Sequence, residues 1–223
     1  MAIPNYEQML EDFYTELLRE GDRCIDVGAH VGRHSFPMAR CVAPSGKVYA
    51  FEPLPMIFNQ LKIEAESTHL DAMISAHQCA LSDMRGETDF VLVHEAPEYS
   101  GLRPRHYDML VTTETIRVQT ARLDDLFEAK AHAIRYIKID CEGGELKVLR
   151  GASNLLRRDR PVVSFECGDG SLESYDYDSG AIYDFFAAHD YGIWSITQLP
   201  LDRTAFIAAA ARQEYWDYLA FPR

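Results

Sequence analysis

The segment Asp26-Val-Gly28-Ala-His30-Val-Gly32 reads as the end of a strand, a sharp turn and the start of a helix. Gly28 permits the turn and lets a ligand come against the backbone with no Cβ in the way. The helix beyond it offers unpaired N–H groups at its N-terminus. A dinucleotide site would carry Gly-x-Gly-x-x-Gly at this point and seat a pyrophosphate. Here the first position is the carboxylate of Asp26, which suits a cationic amino group better than a diphosphate.

A second acid, Glu52, ends the next strand some way beyond the glycine turn, where a carboxylate can accept both hydroxyl hydrogens of a ribose. Ala80, Leu81 and Ser82 follow the third strand and are placed to flank an adenine. The spacing Asp-x-Gly-x-x-x-Gly, followed by such an acid, is that expected for S-adenosylmethionine, with Ala29, His30, Gly32 and Pro53 beside it. A third block reads Lys138-Ile-Asp140-Cys-Glu142-Gly-Gly144-Glu145. Strand alternation sends Lys138 and Asp140 to one face, and Asp140 falls at the carboxyl end of a strand, where open α/β sheets bind ligands. Glu142 and Glu145 complement the dipole of the following helix. With Asp140, Glu142 also makes a candidate divalent-cation pair. Glu166 ends the next strand at the same sheet edge.

These residues need a scaffold, and the sequence supplies one. Apolar periodicity predicts a leading amphipathic helix over residues 6–20. Strands are expected near 23–27, 47–52, 73–80, 87–94, 115–120, 134–140, 161–166, 191–197 and 215–221, and helices near 31–42, 56–68, 123–127, 143–156 and 180–189. Strands alternating with helices predict a doubly wound, mainly parallel α/β sheet covered on both faces. No linker or repeat interrupts residues 1–223, so a single domain is expected: a helix over 1–21, a cofactor-binding core over 22–167 and the rest of the sheet over 168–223. The loop joining 87–94 to 115–120 is long enough to suggest a functional role.

With 35 acidic and 22 basic side chains, the chain carries a formal charge of −13, which disfavours nucleic acid and anionic lipid as partners. The basic clusters at Arg103, Arg105, His106 and at Arg157, Arg158, Arg160 read as solvated surface. Five cysteines without a Cys-x-x-Cys pair argue against a zinc site and for a reducing compartment. No secretory signal or membrane-length apolar run is visible, and a cytoplasmic protein is expected.

Together these motifs resemble the FkbM family of methyltransferases. Residues 24–60 resemble its first block (Ile-Asp-Val-Gly-Ala … Gly-Lys-Val-Tyr-Ala-Phe-Glu-Pro), residues 79–83 its third-strand exit, and residues 120–125 and 136–152 its later blocks. The likeness runs in order through residues 22–167; beyond it only the helix-and-strand pattern agrees. His30 stands where that family commonly has Asn. The resemblance implies a seven-stranded, Rossmann-like class I methyltransferase fold, S-adenosylmethionine as donor with S-adenosylhomocysteine as product, and a hydroxyl acceptor on a sugar, glycan or secondary metabolite. Losing the hydroxyl proton benefits from a base. Asp140 is the first candidate, Glu166 the second and His106 of the long loop a third, while His34 is expected to pack on the first helix. The loops over 94–115 and 168–179, with Tyr99, Tyr107, Tyr175 and Tyr177, are expected to cover the acceptor. Three alternatives stand beside this reading: a nitrogen acceptor, a nucleotide-dependent dehydrogenase, and a non-catalytic protein that keeps the fold. The missing Gly-x-Gly-x-x-Gly speaks against the dehydrogenase, and intact Asp26, Gly28, Glu52 and Asp140 against degeneration.

Overall fold

Two short apolar runs, Arg23–Val27 (β1) and Lys47–Phe51 (β2), pair in parallel with Asp26 opposite Ala50. In the computed structural model, which describes residues 5–105, 107, 110–128 and 133–223, they lie within a large twisted sheet. The remaining strands, in chain order, are β3 (Ile74–His77), β4 (Ala80–Leu81), β5 (Gly86–Val93), β6 (Thr113–Ala121), β7 (Tyr136–Ile139), β8 (Val162–Glu166), β9 (Tyr191–Ser195), β10 (Pro200–Leu201) and β11 (Asp217–Pro222). The main sheet has eight strands in the order β10-β9-β11-β8-β7-β1-β2-β3. Strands β3, β2, β1, β7 and β8 run parallel, and β11 enters antiparallel between β8 and β9.

The sheet therefore carries one strand more than the seven expected. The addition is the two-residue β10, which pairs Pro200 with Trp194 and Leu201 with Ile193. Proline lacks an N–H, so it fits the outer edge of a sheet. The third expected strand divides. It leaves the main sheet at His77, and Ala80–Leu81 pairs with β6 in a separate sheet of order β4-β6-β5. The helix expected near 31–42 starts only at Ser35, because the turn continues through His30 and Gly32, both at positive φ. The expected helix over 143–156 is two pieces, α5 (Glu145–Arg150) and α6 (Ser153–Asp159), broken where Gly151 presses on the Ser82 carbonyl. Residues 198–214, which show no clear period, hold a helix over Arg203–Ala211 (α9), started by the Asp202 side chain accepting from the Ala205 N–H.

Helices cover both faces of the main sheet. Alternate strand residues such as Ile25, Val27, Ile137, Ile139 and Phe165 pack under α5, α6, α8 (Ser179–Ala188) and α9. The opposite parity, including Cys24, Val48 and Tyr136, packs under α1 (Tyr6–Leu17), α2 (Ser35–Val42) and α3 (Pro55–Ser67). Burial on both faces accounts for the near-continuous apolar runs in the parallel strands. The small sheet closes its own cluster of Phe90, Val118 and Ala80 against Leu54 and Ile57. No helix among the described residues is long and apolar enough to cross a membrane.

Candidate active site

From β1 the chain proceeds outward through β2 to β3, then returns to lay β7 on the other side of β1. Such a reversal opens a crevice beyond the carboxyl ends of the strands. A cavity of about 280 Å³ occupies it. Residues at strand ends form its wall: Gly28 after β1, Glu52 after β2, Asp140 after β7 and Glu166 at the end of β8. Because β11 runs the other way, its first residue, Asp217, joins the same wall opposite Glu166.

One half of the cavity is built by the glycine turn and β2. Glu52 is 5% exposed, and its two oxygens accept from the backbone N–H of Leu54 at 2.8 Å and of His30 at 3.0 Å. Burial pushes its pKa up to about 7 despite those two bonds. His30, Pro53, Ala80 and Leu81 share this wall, whereas Ala29, Gly32 and Ser82 lie outside it. Burial lowers the His30 pKa, and its Nε2 has no hydrogen-bond partner among the described residues.

Gly28 adopts φ +73°, as the turn requires. The neighbour that demands glycine is protein rather than ligand: a Cβ here would sit 1.8 Å from the Asp140 carbonyl oxygen. Asp26, expected to meet the amino group of the donor, is absent from the cavity wall. Strand parity turns its side chain, fully buried, beneath α2, where Ser35 Oγ donates to it at 2.6 Å. Its other oxygen, Oδ1, has no hydrogen bond among the described residues and lies 3.7 Å from Lys138 Nζ.

Lys138 is thus the hinge of the site's charge. Its ammonium lies 3.1 Å from Asp140 Oδ2 and belongs to the register pair Asp26–Lys138. Burial opposes its charge, but Asp140 and Asp26 outweigh it and hold the pKa above its ordinary value. Burial likewise opposes ionisation of Asp140, yet Lys138 and a hydrogen bond from Glu166 win, so Asp140 stays a carboxylate. Glu166 goes the other way: burial and the neighbouring charge of Asp140 push it well above the carboxylate range.

Glu142, at φ +57° in the turn after β7, brings a third carboxylate within 4.8 Å of these two. Burial and Asp140 raise its pKa to about 8, against the pull of Arg105, which pairs with it. Arg105 comes from the long loop and lies over the Tyr99 ring, so this loop reaches the acids, and Arg105 is not the solvated surface residue expected. Tyr99 lines the cavity; Tyr175 and Tyr177 instead pack beside Gly143 and Gly144 behind it, Tyr177 donating to the Gly143 carbonyl. His106 lies outside the described residues. His34 packs against the first helix and also meets the cavity, bridging Glu7 at 2.8 Å and the Tyr14 hydroxyl at 3.1 Å. Glu7, Trp216 and Asp217 complete the wall and carried no signal in the sequence, coming from segments far from any motif.

A family model described as the methyltransferase FkbM domain matches residues 26–193. The chain belongs to the FkbM methyltransferase family. It is 28% identical over 153 residues, 68% of its length, to the hexuronic acid methyltransferase AglP of Haloferax volcanii, and spans 58% of that protein. Among solved structures, the O-methyltransferase TomG from Streptomyces achromogenes, in complex with SAM, aligns with 99% of the chain and 81% of its own length at TM-score 0.55 and 14% identity. An rRNA methylase from Streptococcus thermophilus covers both chains completely at TM-score 0.52 and 11% identity. At these identities the two structures attest the class I methyltransferase fold alone. FkbM membership agrees with the sequence resemblance and extends it past residue 167.

Proposed function

We propose that this protein transfers a methyl group from S-adenosylmethionine to a hydroxyl of a sugar or similar small acceptor. The observation that carries the reading is the meeting, in one cavity at the sheet's switch point, of a ribose-type acid after β2 with an acid pair after β7 and β8. The donor set fits the cofactor: Glu52 is buried and aimed by two backbone N–H groups, and the buried Nε2 of His30 lacks a partner among the described residues. Each Glu52 oxygen keeps a lone pair for a ribose hydroxyl. Ala80 and Leu81 offer an apolar flank for an adenine. When bound, S-adenosylmethionine supplies an electrophilic methyl group.

The acid pair serves the acceptor. Asp140, held ionised by Lys138, receives a hydroxyl hydrogen and fixes the oxygen's direction; alignment of this kind supplies much of the rate in a displacement. A low pKa makes Asp140 a weak base. That suffices, because the attacking oxygen becomes strongly acidic only as its new bond forms. Glu166 donates to Asp140 and steadies it. A hydroxyl-bearing acceptor is also favoured by the name of the relative AglP and by the FkbM family, whereas a charge of −13 disfavours RNA. Arg105 and Lys138 already neutralise Glu142 and Asp140, so a divalent cation would compete with Arg105 for its place.

Calorimetric titration with S-adenosylhomocysteine tests the reading, with NAD as control and Glu52→Ala alongside. Micromolar binding that is lost in the variant, with none for NAD, is expected. Binding of NAD but not S-adenosylhomocysteine would replace methyl transfer with hydride transfer. Turnover on amines but not on hydroxyls would move the acceptor atom to nitrogen.

A further inference from the structure

Two dipeptides far apart in the chain meet beside the cavity, Tyr6-Glu7 at the start of α1 and Trp216-Asp217 at the entry to β11, and Glu7, Trp216 and Asp217 line its wall. The Tyr6 and Trp216 rings lie 5.7 Å apart, and the Tyr6 hydroxyl donates to the Glu214 carbonyl at 2.8 Å, tying the helix to this segment. Trp216 lines the cavity and is 48% exposed, so part of its indole is open to a ligand. Below it sit Asp217, 9% exposed, and its register partner Glu166. We infer that this corner is the acceptor subsite, and that it takes the pyranose ring of a neutral sugar, with Trp216 stacked on the ring's C–H face and Asp217, Glu166 and Glu7 meeting its hydroxyls. The inference rests on the methyl-transfer reading and names where that reaction's acceptor lies.

Charge decides between a neutral ring and a cation, since aromatic side chains with acids also suit an ammonium. The acids here already have partners. Lys138 faces Asp26 and Asp140, Arg105 pairs with Glu142, and Glu7 is bound to His34 with Arg33 at 4.0 Å. Asp217 lies opposite Glu166 in the β8–β11 register, and Glu166 is hydrogen-bonded to Asp140, so these carboxyls are engaged with one another. Carboxyls arranged in this way still offer hydrogen bonds to hydroxyls and leave little unpaired charge to bind a cation.

The chain has two tryptophans, Trp194 and Trp216. Trp194 packs edge-on against Phe221 within the sheet, outside the cavity. Trp194→Phe therefore leaves Trp216 as the sole tryptophan, read by selective excitation at its red edge. The experiment loads this variant with S-adenosylhomocysteine and titrates it with a panel of methyl hexopyranosides, with sorbitol as acyclic control and tetramethylammonium as the cation arm. A saturable shift in Trp216 emission with at least one glycoside, and none with either control, is expected. In otherwise wild-type protein, Trp216→Ala should retain S-adenosylhomocysteine binding, which also reports folding, and bind the same glycoside about tenfold more weakly or not at all. No response to any glycoside while S-adenosylhomocysteine binds, a response to tetramethylammonium instead, or unchanged glycoside affinity in Trp216→Ala would overturn the subsite. Failure to bind S-adenosylhomocysteine at all would instead overturn the methyl-transfer reading on which it rests.

Discussion

Replacing Lys138 by methionine keeps the apolar stem and removes only the ammonium. The side chain is 4% exposed and serves two carboxylates of unequal need. Asp140 is 37% exposed at its side chain and accepts from Glu166, so water and a neighbour can share its charge. Asp26 is worse placed: it is fully buried, Ser35 donates only to Oδ2, and among the described residues Oδ1 has no hydrogen bond, leaving the lysine as the charge nearest to it. Breaking a buried ion pair from one side costs about 3–5 kcal/mol, because the remaining charge is stranded. In a chain of this size that corresponds to a fall in Tm of roughly 6–20 °C. Most of the loss is assigned to Asp26. Adding Asp26→Asn should therefore recover at least half of it, since asparagine can keep the contact with Ser35 and carries no charge. Urea unfolding followed by circular dichroism, on the two single variants and the double, measures this directly. A loss below about 1 kcal/mol for Lys138→Met, or a double variant no more stable than Lys138→Met alone, would refute the assignment.

Gly28→Ala should cost about 2–5 kcal/mol, since its Cβ would meet the Asp140 carbonyl at 1.8 Å. Gly86→Ala, at φ +131° with no atom within 4 Å, should cost only backbone strain of about 1–2 kcal/mol; equal thermal shifts for the two would refute the packing argument. Burial raises Glu145 from 4.5 to about 7, so between those values the folded state holds a proton the unfolded chain has lost. Stability from this group is complete below pH 4.5 and falls as pH rises to about 7, by at most about 1.4 kcal/mol per pH unit. Glu145→Gln should flatten that slope in denaturant midpoints measured from pH 5 to pH 8; an unchanged slope would refute it. Arg105→Ala leaves Glu142 facing Asp140 and Glu166 unpaired, and Mn²⁺ affinity measured by electron paramagnetic resonance should rise about tenfold. Equal affinity in the two proteins would mean that Arg105 and a cation do not compete.

The parallel half of the site was readable in the sequence because its grammar is local. A strand buried on both faces writes a short apolar run, and the residue that ends the run stands at the ligand edge of the sheet; Glu52, Asp140 and Glu166 were found that way. The same grammar misplaced Asp26, which is one residue inside its strand. Parity, not proximity to the glycine turn, sets its direction, and parity sends it under α2 to Lys138. Knowledge of the β1–β7 register would have paired the two, but register is a property of strands more than a hundred residues apart. The other half of the cavity follows a reversed rule. In the antiparallel β11 it is the first residue, not the last, that reaches the ligand edge, so Asp217 and the preceding Trp216 sit where a search of strand ends never looks. The proposed donor half is thus built from sequence-local turns, while the proposed acceptor corner is assembled from the start of α1 and the one reversed strand that enters between parallel neighbours. A family that keeps the first and varies the second can hold its cofactor while changing the molecule it methylates.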